Sequence, residues 1–239
     1  MIRALIVVCL TFVYILFIGT PILIYAFVTK NDDLLYRVGV SGTRLALWLS
    51  GVRLEVSGLE KAPKDRAVVF MANHQSNCDP PAILAVLPRV RVLVKKEFFR
   101  VPILGRGMLG VGFIPVDRRQ REQALKAVER ALAELKQGHS FMIFPEGTRS
   151  PDGRMQLFKK GGFVMAIEAG VPIVPVSISG SAKIMRKGEA IIRPGTVRIT
   201  FHEAVPTAGY TTDKRDIIMQ KVRELMMQGL TEAERPQAR

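Results

Sequence analysis

The chain has 239 residues, 48% of them hydrophobic, and a formal net charge of +14. That length suits one domain, or one domain plus an anchor, and the charge calls for an anionic partner: phosphate, a membrane surface, nucleic acid or an acidic protein. Two cysteines, Cys9 in an apolar run and Cys78 in a polar loop, exclude a disulfide framework, and three scattered histidines give no metal-ligand spacing, so no metal is expected.

Residues 4–28 carry no charge and are rich in Ile, Leu, Val and Phe. The run is longer than the hydrophobic part of a signal peptide and long enough to cross a bilayer, so it is expected to be membrane-embedded. Gly19-Thr20-Pro21 interrupts it, which allows a bent or re-entrant helix. Arg3 before it and Lys30 after it leave the orientation undecided. Residues 34–52 mix Leu, Val and Trp48 with Arg37 and Arg44. They read as an amphipathic helix on a membrane face or as a helix packed on the domain that follows, and three interior glycines weaken the first reading. The expected division is an anchor over 1–50, a domain over 51–230 and a charged, frayed tail over 231–239.

From Gly51 the pattern changes to short apolar runs separated by helical ones. Strands are expected at 53–57, 67–72, 90–94, 113–116, 140–144, 173–177 and 197–201, and helices at 80–87, 121–136, 161–169 and 214–227. In 121–136, Ala124, Leu125, Val128, Leu132 and Leu135 recur at helical spacing and Gly138 follows as a stop. The fold class is α/β: a mixed, mostly parallel sheet covered by helices, preceded by an N-terminal membrane-embedded helical segment.

Four stretches carry chemistry. In Asn73-His74-Gln75-Ser76-Asn77-Cys78-Asp79, a histidine and a carboxylate lie five residues apart at the exit of an apolar strand. On one helix they would point about 140° apart, so the pair makes sense only as strand end, loop and helix start. Asp79 followed by Pro80 reads as an N-cap and a first helical position. A carboxylate on one imidazole nitrogen would fix the tautomer and leave the other to take a proton; the plainer alternative is a helix cap beside a polar loop histidine. Lys95 and Lys96 end the second apolar run, where strand ends line ligand crevices; alone they equally suit a solvated turn. Gly112-Phe113-Ile114-Pro115-Val116-Asp117-Arg118 delivers Arg118 and Arg119 from a short strand, with Asp117 as a partner for either. Phe144-Pro145-Glu146-Gly147-Thr148-Arg149-Ser150 ends another strand in groups suited to a polyol phosphate: an acceptor at Glu146, donors at Thr148 and Arg149, and close approach at Gly147.

Together with Val171-Pro172-Ile173-Val174-Pro175-Val176, these stretches resemble, in order and spacing, the four motifs of the glycerolipid acyltransferase family, of the 1-acyl-sn-glycerol-3-phosphate acyltransferase type. The resemblance runs from about Gly58 to Gly180. It implies that His74 is the general base for the acceptor's 2-hydroxyl and that Asp79 orients it, with no acyl-enzyme. It also implies that Arg118 and one of Lys95 or Lys96 bind the acceptor phosphate, and that Glu146, Gly147, Thr148 and Arg149 bind the acceptor. Pro172 would mark a structural or chain-lining segment. The oxyanion donors are expected among backbone amides near the histidine loop or Gly147.

The implied substrates are lysophosphatidic acid and an acyl carrier protein or coenzyme A thioester, with no cofactor besides that donor. The implied place is the inner (cytoplasmic) membrane, with the catalytic domain facing the cytoplasm. The proline in the second motif departs from the aromatic or apolar residue of many relatives. Two rivals stand beside this reading: an acyltransferase for another lyso-lipid, and a non-catalytic lipid-binding module at the membrane surface. Nucleic acid is disfavoured by the apolar N-terminus and the lack of interleaved aromatics, and a lipase by the lack of a Gly-x-Ser-x-Gly elbow.

Overall fold

The computed structural model describes residues 2–117 and 119–237. It opens with α1 (Ile2–Tyr14) and α2 (Thr20–Thr29), joined by a π turn at Ile15–Gly19. Helix therefore continues through Gly19-Thr20-Pro21 where a re-entrant break was an option. The missing N–H of Pro21 falls in the first turn after the π turn, where it costs least. The joined helix is 28 residues long, and only 6% of its most apolar window is buried. It is a candidate membrane segment, and its exposure separates it from a core helix.

Helix α3 (Asp33–Leu49) packs on the domain along one face and leaves Trp48 exposed on another. Leu35 and Leu47 are buried, and the Arg44 guanidinium donates two hydrogen bonds to the Ala85 carbonyl (2.9 and 2.8 Å). Tyr14 donates to the Val38 carbonyl at 2.9 Å, tying α1 to α3.

The domain is a seven-stranded sheet. In chain order its elements are β1 (Val52–Ser57), β2 (Val69–Ala72), α4 (Asp79–Leu84), β3 (Arg91–Lys95), α5 (Leu104–Gly110), β4 (Ile114–Val116), α6 (Arg121–Lys136), β5 (Phe141–Ile143), α7 (Gly161–Ala169), β6 (Ile173–Ser179), α8 (Ser181–Ile184), β7 (Gly195–Phe201) and α9 (Arg215–Gln228). The strand order is β1-β7-β6-β2-β5-β3-β4. All pairs are parallel except β6 with β7. Strands β2 and β6 are buried along their whole length, as strands covered on both faces must be; β2 reads as an unbroken apolar run, while β6 adds two buried serines, Ser177 and Ser179, whose hydroxyls are hydrogen-bonded.

Two cores result. Val68, Phe70 and Ala72 join Val176, Ile199 and Ile83 of α4 on one face; Val69, Met71 and Phe141 join Ala127, Ala131 and Leu135 of α6 and Val222 of α9 on the other. The expected helix 121–136 occurs with its expected bounds, and Gly138 leaves it at φ 91°.

One element was not foreseen and one expectation fails. Helix α5 was not foreseen, because three of its seven residues are glycine. The tail is not frayed through Arg235: Glu234 accepts hydrogen bonds from the Ser179 hydroxyl (2.6 Å), the Gly180 amide (2.7 Å) and the Thr231 hydroxyl (2.8 Å), and its carbonyl takes the Met155 amide (2.9 Å). Four acceptor contacts hold a segment whose composition alone favours solvent.

Candidate active site

Because β2 to β6 run parallel, their C-terminal ends share one edge of the sheet, and the loops leaving them converge there. The loop after β2 is pinned at both ends. Asn73, fully buried, copies a strand residue with its side chain: its amide nitrogen donates to the Ile178 carbonyl (2.8 Å) and its carbonyl oxygen accepts the Ile178 amide (2.7 Å). Further on, the Ser76 hydroxyl donates to the Met185 carbonyl (2.7 Å) and accepts from the Cys78 amide (3.0 Å).

Between these pins the chain folds back, so that Asp79 Oδ2 meets His74 Nδ1 at 2.8 Å. The same oxygen accepts the amides of Gln75 and Ser76, each at 2.7 Å. Asp79 is therefore not the N-cap expected from the sequence. Cys78 takes that position, and the aspartate, first residue of α4, turns its carboxylate back onto the loop. Both side chains are buried, and no hydrogen bond occupies His74 Nε2 among the described residues. Burial, helped by Asp79, pushes the neighbouring Cys78 thiol up to about 12, so it stays protonated and is no nucleophile.

The loop after β5 clasps this histidine. Glu146 Oε1 accepts the His74 amide (2.9 Å), the Ser150 amide donates to the His74 carbonyl (2.8 Å), and the Phe144 ring stacks on the imidazole with centroids 4.1 Å apart. Gln156 donates to Glu146 Oε2 at 3.0 Å. Each oxygen of Glu146 thus takes a hydrogen bond within the protein, and the geometry makes it a holder of the His74 backbone. Burial pushes its carboxyl up to about 7. Gly147 adopts φ 73°, the left-handed region that lets the loop reverse between Glu146 and Ser150.

Amides expected to stabilise an oxyanion are already used. Those of His74, Gln75, Ser76 and Cys78 are donors within the two loops, and that of Gly147 donates to the Phe144 carbonyl (3.0 Å).

The basic residues lie along the same edge. Lys95 ends β3, which β5 separates from β2, a span of about 10 Å at ordinary strand spacing. Lys95 pairs with Glu97 (3.3 Å) and Lys96 with Asp117, whose other carboxylate oxygen accepts the Arg119 amide (3.0 Å). Arg118 lies outside the described residues. Thr148 is exposed and Arg149 half-buried, with no ion pair to Arg149 among the described residues. Pro172 lies at the opposite end of the sheet, where its carbonyl accepts the Val69 amide, and plays a structural part. Beside α4, an apolar cleft of about 380 Å³ opens between α1, α3 and α5, lined by Leu23, Ala46, Leu84, Ile103 and Met108 among others.

Residues 53–179, more than half of the chain, match the family model described as Acyltransferase. The chain belongs to the acyltransferase family. Its fold agrees with the crystal structure of the 1-acyl-sn-glycerophosphate (LPA) acyltransferase PlsC from Thermotoga maritima, at 30% identity and a TM-score of 0.83, over 95% of this chain and 93% of that one. It is 34% identical over 182 residues to the human 1-acyl-sn-glycerol-3-phosphate acyltransferase alpha, covering 75% of this chain and 64% of that protein. It is 37% identical over 155 residues to the chloroplastic 1-acyl-sn-glycerol-3-phosphate acyltransferase LPAT1 of Arabidopsis thaliana, covering 64% of this chain. The chain spans less than half the length of the plastid relatives it matches.

In this acyltransferase-family chain, the structure brings His74, Asp79, Glu146 and Gly147 into one cluster and sets Lys95 and Lys96 along the edge beside it. Sequence reasoning missed Phe144, Ser150 and Gln156 as supports of His74. Their only signal was a place in or near the loop after an apolar strand, and none is a chemical residue in itself.

Proposed function

We propose that the chain transfers a fatty acyl group from an acyl carrier protein or coenzyme A thioester to the 2-hydroxyl of 1-acyl-sn-glycerol 3-phosphate, giving phosphatidic acid. The observation that carries this reading is the 2.8 Å contact between His74 Nδ1 and Asp79 Oδ2, inside a loop clasped at the histidine's own amide and carbonyl. The contact makes Nδ1 the donor and leaves Nε2 as the base. Nε2 takes the proton of the 2-hydroxyl while its oxygen attacks the thioester carbonyl. The tetrahedral intermediate collapses with loss of thiolate, and the imidazolium returns the proton to sulfur. The Asp79 carboxylate stabilises the imidazolium in between, the role an acid plays beside a catalytic histidine when the substrate supplies the hydroxyl. Acid–base help of this kind is worth about 10²–10⁴ in rate.

In this reading Lys95, Lys96, Arg118 and Arg149 hold the acceptor phosphate. The apolar cleft beside α4 takes an acyl chain, and α1–α2 seats the protein at the inner (cytoplasmic) membrane with the domain on the cytoplasmic side, where acyl thioesters are made. No cofactor besides the thioester is required. The names borne by the relatives support lysophosphatidic acid as acceptor. The test is product analysis after incubation with a radiolabelled acyl thioester and a panel of lyso-lipids. Phosphatidate from lysophosphatidate supports the assignment; acylation of another lyso-lipid alone would overturn the acceptor, and no transfer to any acceptor would overturn the activity.

A further inference from the structure

The segment between β3 and β4 departs from the burial pattern of the rest of the domain. It begins with a 3₁₀ turn at Lys96–Arg100 and ends with α5. Between them the backbone makes a γ-turn at Ile103, with φ 65°, ψ −59° and a 2.7 Å hydrogen bond from the Leu104 amide to the Pro102 carbonyl. Positive φ is a rare and strained state for a β-branched residue, held only where the surroundings require it. The turn sets Ile103 in the lining of the apolar cleft. On the same segment, Phe98 and Leu109 are 52% and 51% exposed, and Val101 and Leu104 more than a third.

Isolated exposed apolar residues need no explanation, but four large ones within twelve residues form a patch. The patch has a neighbour: α5 packs against α2, whose Phe27 and Val28 are bare. Its unpaired charges are of one kind. Arg100 and Arg106 are exposed with no ion-pair partner among the described residues, and the segment's one acid, Glu97, is paired with Lys95.

We propose that residues 96–110 form a second, interfacial membrane contact: Phe98, Val101, Leu104 and Leu109 enter the headgroup–acyl boundary, while Arg100 and Arg106 pair with lipid phosphates. A bilayer fits better than a protein partner, because the patch continues the surface of a bare apolar helix and is rimmed by unpaired arginines. One consequence is functional. Ile103, Leu104, Gly107 and Met108 all line the cleft, so its mouth then opens at the interface, and a lipid enters without crossing water.

The proposal rests on the reading of α1–α2 as membrane-embedded, and two separate readouts keep the two apart. Trp48 is the chain's single tryptophan. In a full-length Trp48→Phe background, Phe98→Trp and, separately, Leu109→Trp place the fluorophore at either end of the segment. Each variant is mixed with phosphatidylcholine vesicles containing a minor fraction of phosphatidylglycerol, with or without acyl-brominated phosphatidylcholine, and cosedimentation is measured alongside. The expected result is cosedimentation, a blue-shifted emission and quenching by the brominated lipid at both positions. Bound protein whose tryptophans keep a water-like, unquenched emission overturns the proposal while sparing the helix reading. Failure to cosediment overturns both. In the Phe98→Trp background, exchanging Val101 and Leu109 together for glutamate is expected to remove the quenching by brominated lipid with an unchanged circular dichroism spectrum, the protein staying bound through α1–α2; unchanged quenching overturns the proposal.

Discussion

Glu146 offers a quantitative test of how the histidine loop is built. Its carboxyl is buried, receives the His74 amide at 2.9 Å and Gln156 at 3.0 Å, and is pushed from 4.5 to about 7, chiefly by desolvation. Between those values the unfolded chain gives up this proton and the native chain keeps it. The stabilisation is therefore complete below pH 4.5 and is lost as pH rises to about 7. At about 1.36 kcal/mol per pH unit, the loss is about 3 kcal/mol. For a chain of this size that is about 6–12 °C in Tm.

Glu146→Gln keeps an acceptor for the His74 amide and removes the proton. Thermal unfolding of the full-length protein, wild type and variant, across pH 4.5 to 8 isolates the term, since every other titrating group is common to both. The variant should lack the wild type's decline, so that the difference between the two curves changes by about 6–12 °C over the window. Parallel curves would refute the claim that a buried, proton-holding carboxyl supports the loop.

Four further outcomes follow from the same geometry. Asp79→Asn leaves a group of the same shape but favours the wrong tautomer of His74, and kcat should fall about 10³–10⁴-fold with little change in KM; a loss under tenfold in steady-state assays would deny Asp79 its orienting role. Phe144→Ala removes the ring stacked on the imidazole and should cost roughly 1–4 kcal/mol in denaturant unfolding together with part of kcat. Gly39 lines the apolar cleft, and a Cβ there meets nothing within 4 Å, so Gly39→Leu should fit without strain and shift the donor preference toward shorter chains; an unchanged profile across a series of acyl thioesters would remove the cleft as the chain's seat. Glu234→Ala frees the Ser179 hydroxyl and the Gly180 amide and should cost about 2 kcal/mol, readable as a Tm drop of about 4–8 °C.

The sheet was legible because its central strands are buried on both faces, and a continuous apolar run such as 69–72 has few other solutions; the strand expected at 173–177 runs on to Ser179, past the point where serines break its apolar pattern. The helix at 121–136 was legible because its apolar stripe and its closing glycine agree. Residues 104–110 were not, since Leu-Gly-Arg-Gly-Met-Leu-Gly lacks a stripe and is three-sevenths glycine, and packing against α2, the π turn and the preceding 3₁₀ turn holds it in a helix. In the site, the spacing of His74 and Asp79 foretold a fold-back loop. The fold-back of the aspartate onto the imidazole was foretold with it; only the N-cap position was misplaced by one residue, because Asp-Pro signals a cap wherever it occurs and says nothing of three donors waiting behind it. The hold of Glu146 on the His74 amide was not legible: a glutamate in a polar turn reads as solvent- or substrate-facing, and only the fold buries it beneath another loop.

The most direct measurement is a single-turnover comparison of wild type and His74→Ala, with a radiolabelled acyl thioester and lysophosphatidate, beside equilibrium binding of lysophosphatidate to both proteins. The account predicts phosphatidate from the wild type, a loss of at least about 10²-fold in the variant, and binding that changes little, since the imidazole acts on the hydroxyl and not on the phosphate. Phosphatidate formed by His74→Ala at a rate near that of the wild type would contradict the base assignment on which the mechanism stands.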